Sequence, residues 1–402
     1  MSRTPGNVTL GSKAEHRQGQ DMQVSRRWIV GAGASMALLS GCGGGAVRAP
    51  LVPAADPMLQ PQANPGWDAW VASFRPRARS AGISDGVIDA GFRGAGYLPG
   101  VVERDRNQTE FSRTLEDYLA IVANDEKVAA GRAQYARRRS LLSEIEARYG
   151  VPANVVAAVW GMESNYGTRR GEIPVVSATS TLAYDGRRGA FFENQLLAAL
   201  RILARGDTTP SGLVGSWAGA MGHTQFIPTT YQSYAVDFRG DGRRDIWSED
   251  PTDGLASTAA YLSQMGWRRG EPWGQEITAA NPGSGGRVIQ PEPGGPRFRV
   301  YRNFDVIKRY NNSDNYAIGV GHLSDRIAGG GPIRASFAPD RYGLTIEDRQ
   351  AIQRGLTRRG FDAGGADGVF GSKTEAAIRA YQQSNGMAPT GEPSRALLNA
   401  LS

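Results

Sequence analysis

The chain has 402 residues and a net charge of +7, enough length for two or three domains and a large buried core. Its single cysteine, Cys42, excludes an intrachain disulfide, a zinc-thiolate site and a cysteine nucleophile elsewhere in the chain. The three histidines, His16, His223 and His322, lack paired ligand spacing, and no strand precedes the glycines of GAGAS or GCGGG, so neither a histidine-based metal hydrolase nor a phosphate cradle is expected.

Residues 1–42 read as an export signal. Arg26 and Arg27 precede an apolar run, Trp28 to Ser40, too short and too rich in Gly and Ala to cross a bilayer. The run ends in Leu-Ser-Gly-Cys, which is similar to a lipobox, where Cys42 is acylated after cleavage; several acyl chains together anchor stably where one does not. Ser-Arg-Arg-Trp-Ile is similar to a twin-arginine export signal, and Met22 is a second candidate start. Together these features predict a periplasmic protein held at the outer membrane through a lipid. Setting aside residues 1–42, with five basic and two acidic side chains, lowers the charge to +4 and leaves no dense basic run. The expected partner is then an anionic, carboxylate-bearing envelope polymer, with no role for nucleic acid.

Residues 43–66 are small, Pro-rich and aperiodic, as in a tether. From Trp67 the apolar spacing of three and four predicts helices in WDAWVASFRPRARSAGI, TEFSRTLEDYLAIV and AAGRAQYARRRSLLSEIEARYG, the last ending at Gly150, with Pro152 in the first turn of the next helix. NPGSGGRVIQPEPGGP (281–296) predicts a flexible insertion or a hairpin loop, and RFRVYRNF a strand. A catalytic-sized domain over 67–328 is followed by a Gly-rich linker, 329–340, and a small module, 341–402. That module reads as three helices: 346–359, one opening with a capping box at Ser372 and Glu375, and one after Pro393. The fold class is mainly α with minor β.

The helix VVAAVWGMESNYG (155–167) is apolar until Glu163, which shares a face with Val159 and Trp160. Desolvation disfavours the charged form, so a carboxyl there can keep its proton near neutral pH and give it to a glycosidic oxygen as a general acid. The competing reading is a local ion pair with Arg169 or Arg170. Ordinary glycosidases need a second carboxylate roughly 5 to 9.5 Å away. None sits in this motif; Glu172, Asp185 and Glu193 are the nearest candidates.

Glu-Ser-x-Tyr-Gly after an apolar helix resembles the catalytic motif of lysozyme-like lytic transglycosylases. GSWAGAMGHTQFIPTTY (215–231), DFRGDGRRDIW (237–247) and RYNNSDNYAIGVGHLSDRI (309–327) are similar, in the same order, to segments of the lytic murein transglycosylase B family, and the resemblance spans 67–328. It implies a lysozyme-like fold in which Glu163 is the single acid/base. It further implies that Ser216 and Gln225 are polar cleft residues, that Tyr310 and Asn311 hold the N-acetylmuramic acid ring, and that Tyr118 and Tyr261 line the cleft. Core packing is the other reading of the tyrosines, and helix capping that of Ser216. The implied reaction cleaves the β-1,4 bond between N-acetylmuramic acid (MurNAc) and N-acetylglucosamine (GlcNAc) without water, giving 1,6-anhydro ends during wall turnover. It needs no cofactor, because the substrate's N-acetyl group and C6 hydroxyl replace the second acid. A muramidase-type hydrolase and a non-catalytic wall-binding lipoprotein are the alternatives.

Asp237, Asp241 and Asp245, with the turn glycine Gly242, resemble half of an EF-hand loop. Arg239 and Ser248 depart from the pattern, so a structural calcium would need Asp250 or Asp253 as well; the other reading is an Asp/Gly turn that seats Ile246 and Trp247. DGVFGSKT (367–374), within 341–402, resembles the core of the three-helix peptidoglycan-binding domain. This implies that the module binds glycan strands and that its removal spares activity on soluble fragments. Other wall enzymes are further candidate partners.

Overall fold

The computed structural model describes residues 56–107 and 113–402. Cys42 and the export signal lie outside the described residues. Within them the chain forms sixteen α-helices and five short strands, the mainly helical class expected.

Ordered structure starts before Trp67. Helix α1 (Pro65–Ser80) opens on a proline, whose fixed φ suits a first turn, and the Asn64 side chain accepts the Trp67 N–H at 3.0 Å. Upstream, Gln62 already bridges Tyr97. Helices α2 (Asp85–Phe92), α3 (Pro99–Arg106) and α4 (Leu115–Val122) follow. The helix expected to run through to Tyr149 breaks at Arg138 (φ −113°, ψ 23°) into α5 (Asp125–Arg137) and α6 (Arg139–Tyr149). Tertiary packing overrides the continuous pattern there, since the Arg138 guanidinium lies 5.1 Å from the Trp160 ring centroid. Gly150 closes α6 in the left-handed region (φ 74°), as a C-terminal glycine should.

Helix α7 (Ala153–Ser164) is the hub. Eleven of its twelve residues are buried, and a helix apolar all round belongs inside a core. Its Ala, Val and Gly positions let it pack against α5, α6, α11 (Thr252–Gln264) and α13 (Asp314–Ile327) at once. Gly319 on α13 has a specific job: a Cβ there would lie 2.8 Å from the Tyr118 ring.

Strands β1 (Ile173–Pro174) and β2 (Val214–Gly215) pair antiparallel, Ile173 opposite Gly215, and the chain between them forms α8 (Val175–Asp185) and α9 (Gly189–Arg205). After α10 (Pro228–Tyr234) and α11 comes an antiparallel sheet of β3 (Gly274–Glu276), β4 (Arg287–Ile289) and β5 (Phe298–Val300), in the order β3-β5-β4. The strand expected in RFRVYRNF stops at Val300, and α12 (Arg302–Tyr310) takes over.

The C-terminal helices α14 (Ile346–Arg358), α15 (Ser372–Ser384) and α16 (Arg395–Leu401) enclose a second core of Leu344, Ile352, Leu356, Ile378 and Leu397. The capping box forms at Thr345 and Asp348; at α15 the N-cap is Gly371, with no side-chain cap, because Ser372 already lies inside the helix. Residues before this module are tied down: the Glu276 carboxylate accepts the N–H groups of Arg334 and Ala335 at 2.7 to 3.0 Å, and Ile333 and Phe337 pack on the main core.

Candidate active site

Two consecutive left-handed residues, Asn165 (φ 48°) and Tyr166 (φ 56°), end α7 and turn the chain sharply. The turn brings the Tyr166 ring back under α7, edge-on to Trp160 at 5.7 Å, and its hydroxyl donates to the Lys127 carbonyl at 3.0 Å. Ser164 locks the turn. Its hydroxyl donates to the His223 carbonyl at 3.0 Å and accepts the Gly167 N–H at 3.1 Å. The polar motif after the apolar helix therefore fixes the end of α7, where Glu163 projects.

Glu163 is 8% exposed, and the Tyr316 hydroxyl donates to its Oε1 at 2.6 Å. Tyr316 comes from α13; burial first, then the Glu163 charge, raises its phenol far above the ordinary value. The Tyr118 phenol, on α4, is raised by the same two causes in the same order. Its hydroxyl is buried and has no hydrogen-bond partner among the described residues, and the same is true of Asn311 Oδ1. Buried polar atoms left unpaired are costly, and in a cleft they mark places where a ligand would complete the bonding. The Lys127 ammonium, half-buried, is pushed down to about 8 by burial and by Arg169, with Glu163 opposing.

The other expected cleft residues divide. Tyr310 lies parallel to Tyr316 at 6.4 Å and edge-on to Tyr261 at 5.1 Å, so both belong to one aromatic wall. Their hydroxyls bind backbone, Tyr310 to the Thr224 carbonyl and Tyr261 to the Arg309 carbonyl, each at 2.6 Å. Gln225 adopts φ 49°, and its amide donates to the carbonyls of Arg170 and Gly222 at 3.0 and 2.9 Å, which occupies the nitrogen and leaves Oε1. The Ser216 hydroxyl accepts the Ala220 N–H at 3.1 Å and holds its own turn. Sequence reasoning missed Tyr316 and Lys127; RYNNSDNY contains Tyr316, but a buried helical tyrosine carries the same signal as a core residue.

Two of the three competing acids are occupied by arginines, and the third, Glu172, is exposed just before β1. Asp185 pairs with Arg106 at 2.5 Å, and Glu193 pairs with Arg77 at 2.7 and 3.0 Å. Arg170 turns to Glu249 and the Ser248 carbonyl, so the local Glu163–Arg170 pair is replaced by another. His223 is held neutral by its neighbours: the Trp160 indole N–H donates to Nδ1 at 3.0 Å, and Nε2 faces the Ser248 carbonyl at 2.8 Å, which requires the Nε2–H tautomer. Burial, with Arg170 and Arg138 nearby, pushes it down to about 4.

At Asp237, Asp241 and Asp245, where the sequence resembles half of a calcium loop, the carboxylates accept backbone N–H groups of their own turns. The Asp237 carboxylate accepts N–H groups from Gly240, Asp241 and Gly242 at 2.6 to 3.1 Å, which holds it below the usual range. Asp241 accepts the Arg243 N–H, and Asp245 those of Trp247 and Ser248. Asp253 accepts the N–H groups of Phe238 and Asp245. Among the described residues no group of three or more His, Cys, Asp or Glu is arranged to hold a metal ion. These carboxylates close turns and seat the buried Ile246.

The transglycosylase SLT domain model matches residues 66–286 and 281–325, which contain every cleft residue above. The chain belongs to this family. The peptidoglycan binding domain model matches 345–401, so the family domain carries a C-terminal module of that type. The membrane-bound lytic murein transglycosylase B of Escherichia coli K12 is 31% identical over 211 residues, covering 45% of this chain; the match spans 58% of that relative's length. SltB3 from Pseudomonas aeruginosa, solved in complex with NAG-anhNAM-pentapeptide, is 42% identical, with a TM-score of 0.66 over 84% of this chain and 100% of that one. The E. coli lytic transglycosylase Slt35, solved in complex with calcium, shares the fold at 24% identity, with a TM-score of 0.57 over 67% of this chain and 96% of that one.

Proposed function

We propose that the chain is a peptidoglycan lytic transglycosylase acting through Glu163. The observation that carries this reading is the buried carboxyl of Glu163 beside Tyr316, while Asp185 and Glu193 serve arginines and Glu172 is exposed. Glu163 gives its proton to the oxygen between MurNAc and GlcNAc as the MurNAc C1–O bond breaks. The substrate's N-acetyl carbonyl supports the cationic C1. The Glu163 carboxylate then takes the C6 hydroxyl proton as that oxygen closes on C1, leaving a 1,6-anhydro ring and restoring the acid. Desolvation beside the aromatic wall favours the protonated starting state, and the Tyr316 hydroxyl stabilises the carboxylate as it forms.

Tyr118 and Asn311 offer unpaired polar atoms to the sugar, and Tyr310 and Tyr261 shape the wall against which the ring lies. Gln225 Oε1 and the Ser216 hydroxyl are the remaining polar contacts assigned to the cleft. The pentapeptide-bearing ligand of SltB3 supports a peptidoglycan substrate. Export and lipid anchoring at Cys42 complete the reading, placing the enzyme in the envelope; among the described residues no helix is long and apolar enough to cross a membrane.

Mass spectrometry of products from purified sacculi tests the reaction. Anhydro-MurNAc ends are expected, and reducing ends would mean a hydrolase. Glu163→Gln should keep substrate binding and lose turnover by about a hundred- to ten-thousandfold, the usual scale for a general acid; retained turnover refutes the assignment.

A further inference from the structure

We infer that Arg349, in the C-terminal module, is a positioning residue for the cleft: it holds α4 in place and through α4 sets Tyr118. This rests on the proposed function for the meaning of Tyr118, while its physical basis is separate. Arg349 is 3% exposed, and its guanidinium reaches out of α14 into the catalytic domain. Nη2 donates to Glu116 Oε2 at 2.8 Å and to Asp117 Oδ1 at 2.7 Å, and Nη1 to Asp340 Oδ2 at 3.2 Å. Its Nε has no partner among the described residues. One guanidinium thus faces three carboxylates in a buried place, and burial raises Glu116 and Asp117 against the opposing pull of Arg349. Removing the arginine would leave three like charges together with only Arg113 nearby to offset Asp117.

Asp117 and Tyr118 are consecutive on α4, so their side chains diverge by about 100° around the helix. One meets the module and the other meets the Glu163 cleft. Helix α4 has only eight residues, too few to be stable alone. It is held from outside: the Glu292 carboxylate accepts the Leu115 N–H at 2.6 Å, the Thr114 hydroxyl accepts the Asp117 N–H at 3.1 Å, and Arg349 grips the outward carboxylates. Inside, the Tyr118 ring sits in the notch left by Gly319. A shift of α4 therefore moves the Tyr118 hydroxyl, a buried donor awaiting a partner. The linker ahead of the module is tied down at a second point by Glu276, which accepts the backbone N–H groups of Arg334 and Ala335. Wall binding and cleft geometry are then mechanically joined, contrary to a module whose removal spares soluble substrates.

The test uses the full chain and a soluble tetrasaccharide of two NAG-NAM-pentapeptide repeats as probe. Arg349→Met should raise KM for this fragment at least tenfold with kcat changed less than threefold, and Arg349→Lys, which keeps charge without the fork, should fall between. In Tyr118→Phe, the same Arg349→Met change should lose most of its effect, because its route has been removed. Unchanged KM in Arg349→Met overturns the inference, and so does an effect that simply adds to that of Tyr118→Phe. Binding of the same fragment to Glu163→Gln, with and without Arg349→Met, reads the coupling without turnover, so a failure of the reaction assignment leaves this test standing. A variant that melts early is replaced by Asp117→Asn, which should show the same non-additivity with Tyr118→Phe.

Discussion

Removing a single oxygen from Tyr316 tests how the lone carboxylate works. Tyr316→Phe keeps the ring that lies parallel to Tyr310, so the aromatic wall survives, but it deletes the 2.6 Å hydrogen bond to Glu163 Oε1. A hydrogen bond to a charged group contributes roughly 1.5 to 3 kcal/mol, against about 1 for a neutral pair. When Glu163 is protonated the bond is of the weaker kind; as the proton leaves for the glycosidic oxygen it becomes the stronger one. The difference, about 0.5 to 2 kcal/mol, belongs to the transition state alone and should appear in kcat, as a drop of roughly twofold to thirtyfold. KM should change little, since the phenol faces the acid. Steady-state kinetics on a soluble muropeptide substrate would measure both, with the melting temperature as control. A full kcat paired with a raised KM would refute the reasoning, because it would make Tyr316 a sugar-binding group with no part in stabilising the carboxylate.

His223 should make the catalytic domain acid-sensitive. Its folded value of about 4 lies below the ordinary 6.5, so the unfolded chain binds more protons between these limits. Stability is then full above about 6.5 and is lost as pH falls toward 4, by roughly 2 to 3 kcal/mol from this residue; denaturant midpoints of wild type and His223→Asn with equal pH slopes would refute it. Gly161→Ala places a Cβ 2.5 Å from the Tyr166 ring and should cost about 1 to 3 kcal/mol by overpacking, seen as a lower melting temperature. Turns closed by Asp237, Asp241 and Asp245 through backbone N–H groups need no ion, which predicts the same melting temperature in millimolar calcium and in chelator; a rise with calcium would establish the metal reading.

What the sequence could show depended on whether a residue's role was local. Gly150 follows from neighbours one to four positions away, and the apolar helix ending at Glu163 is a pattern of the same range. The break at Arg138 is not, because the guanidinium turns toward Trp160, a residue of the next helix, and the continuous periodicity hides it. The Asp-rich loop shows the same limit. Three carboxylates four residues apart have the composition of a cation site, while the backbone N–H groups they accept are set by the turn and are not legible in the composition.

Tyr316 and Arg349 mark the limit most clearly. Each lies at a position that periodicity assigns to a helix interior, and each is indeed buried. Burial alone cannot distinguish a ring that fills space from one whose hydroxyl holds an acid 153 residues away, nor an arginine that supports its own helix from one that grips carboxylates 232 and 233 residues away. Those distances along the chain are also why the two matter together. The acid is set from α13 and the sugar-facing tyrosine from the C-terminal module, so the cleft is complete only when the last sixty residues have docked, and sequence changes in α14 should alter catalysis without touching the cleft.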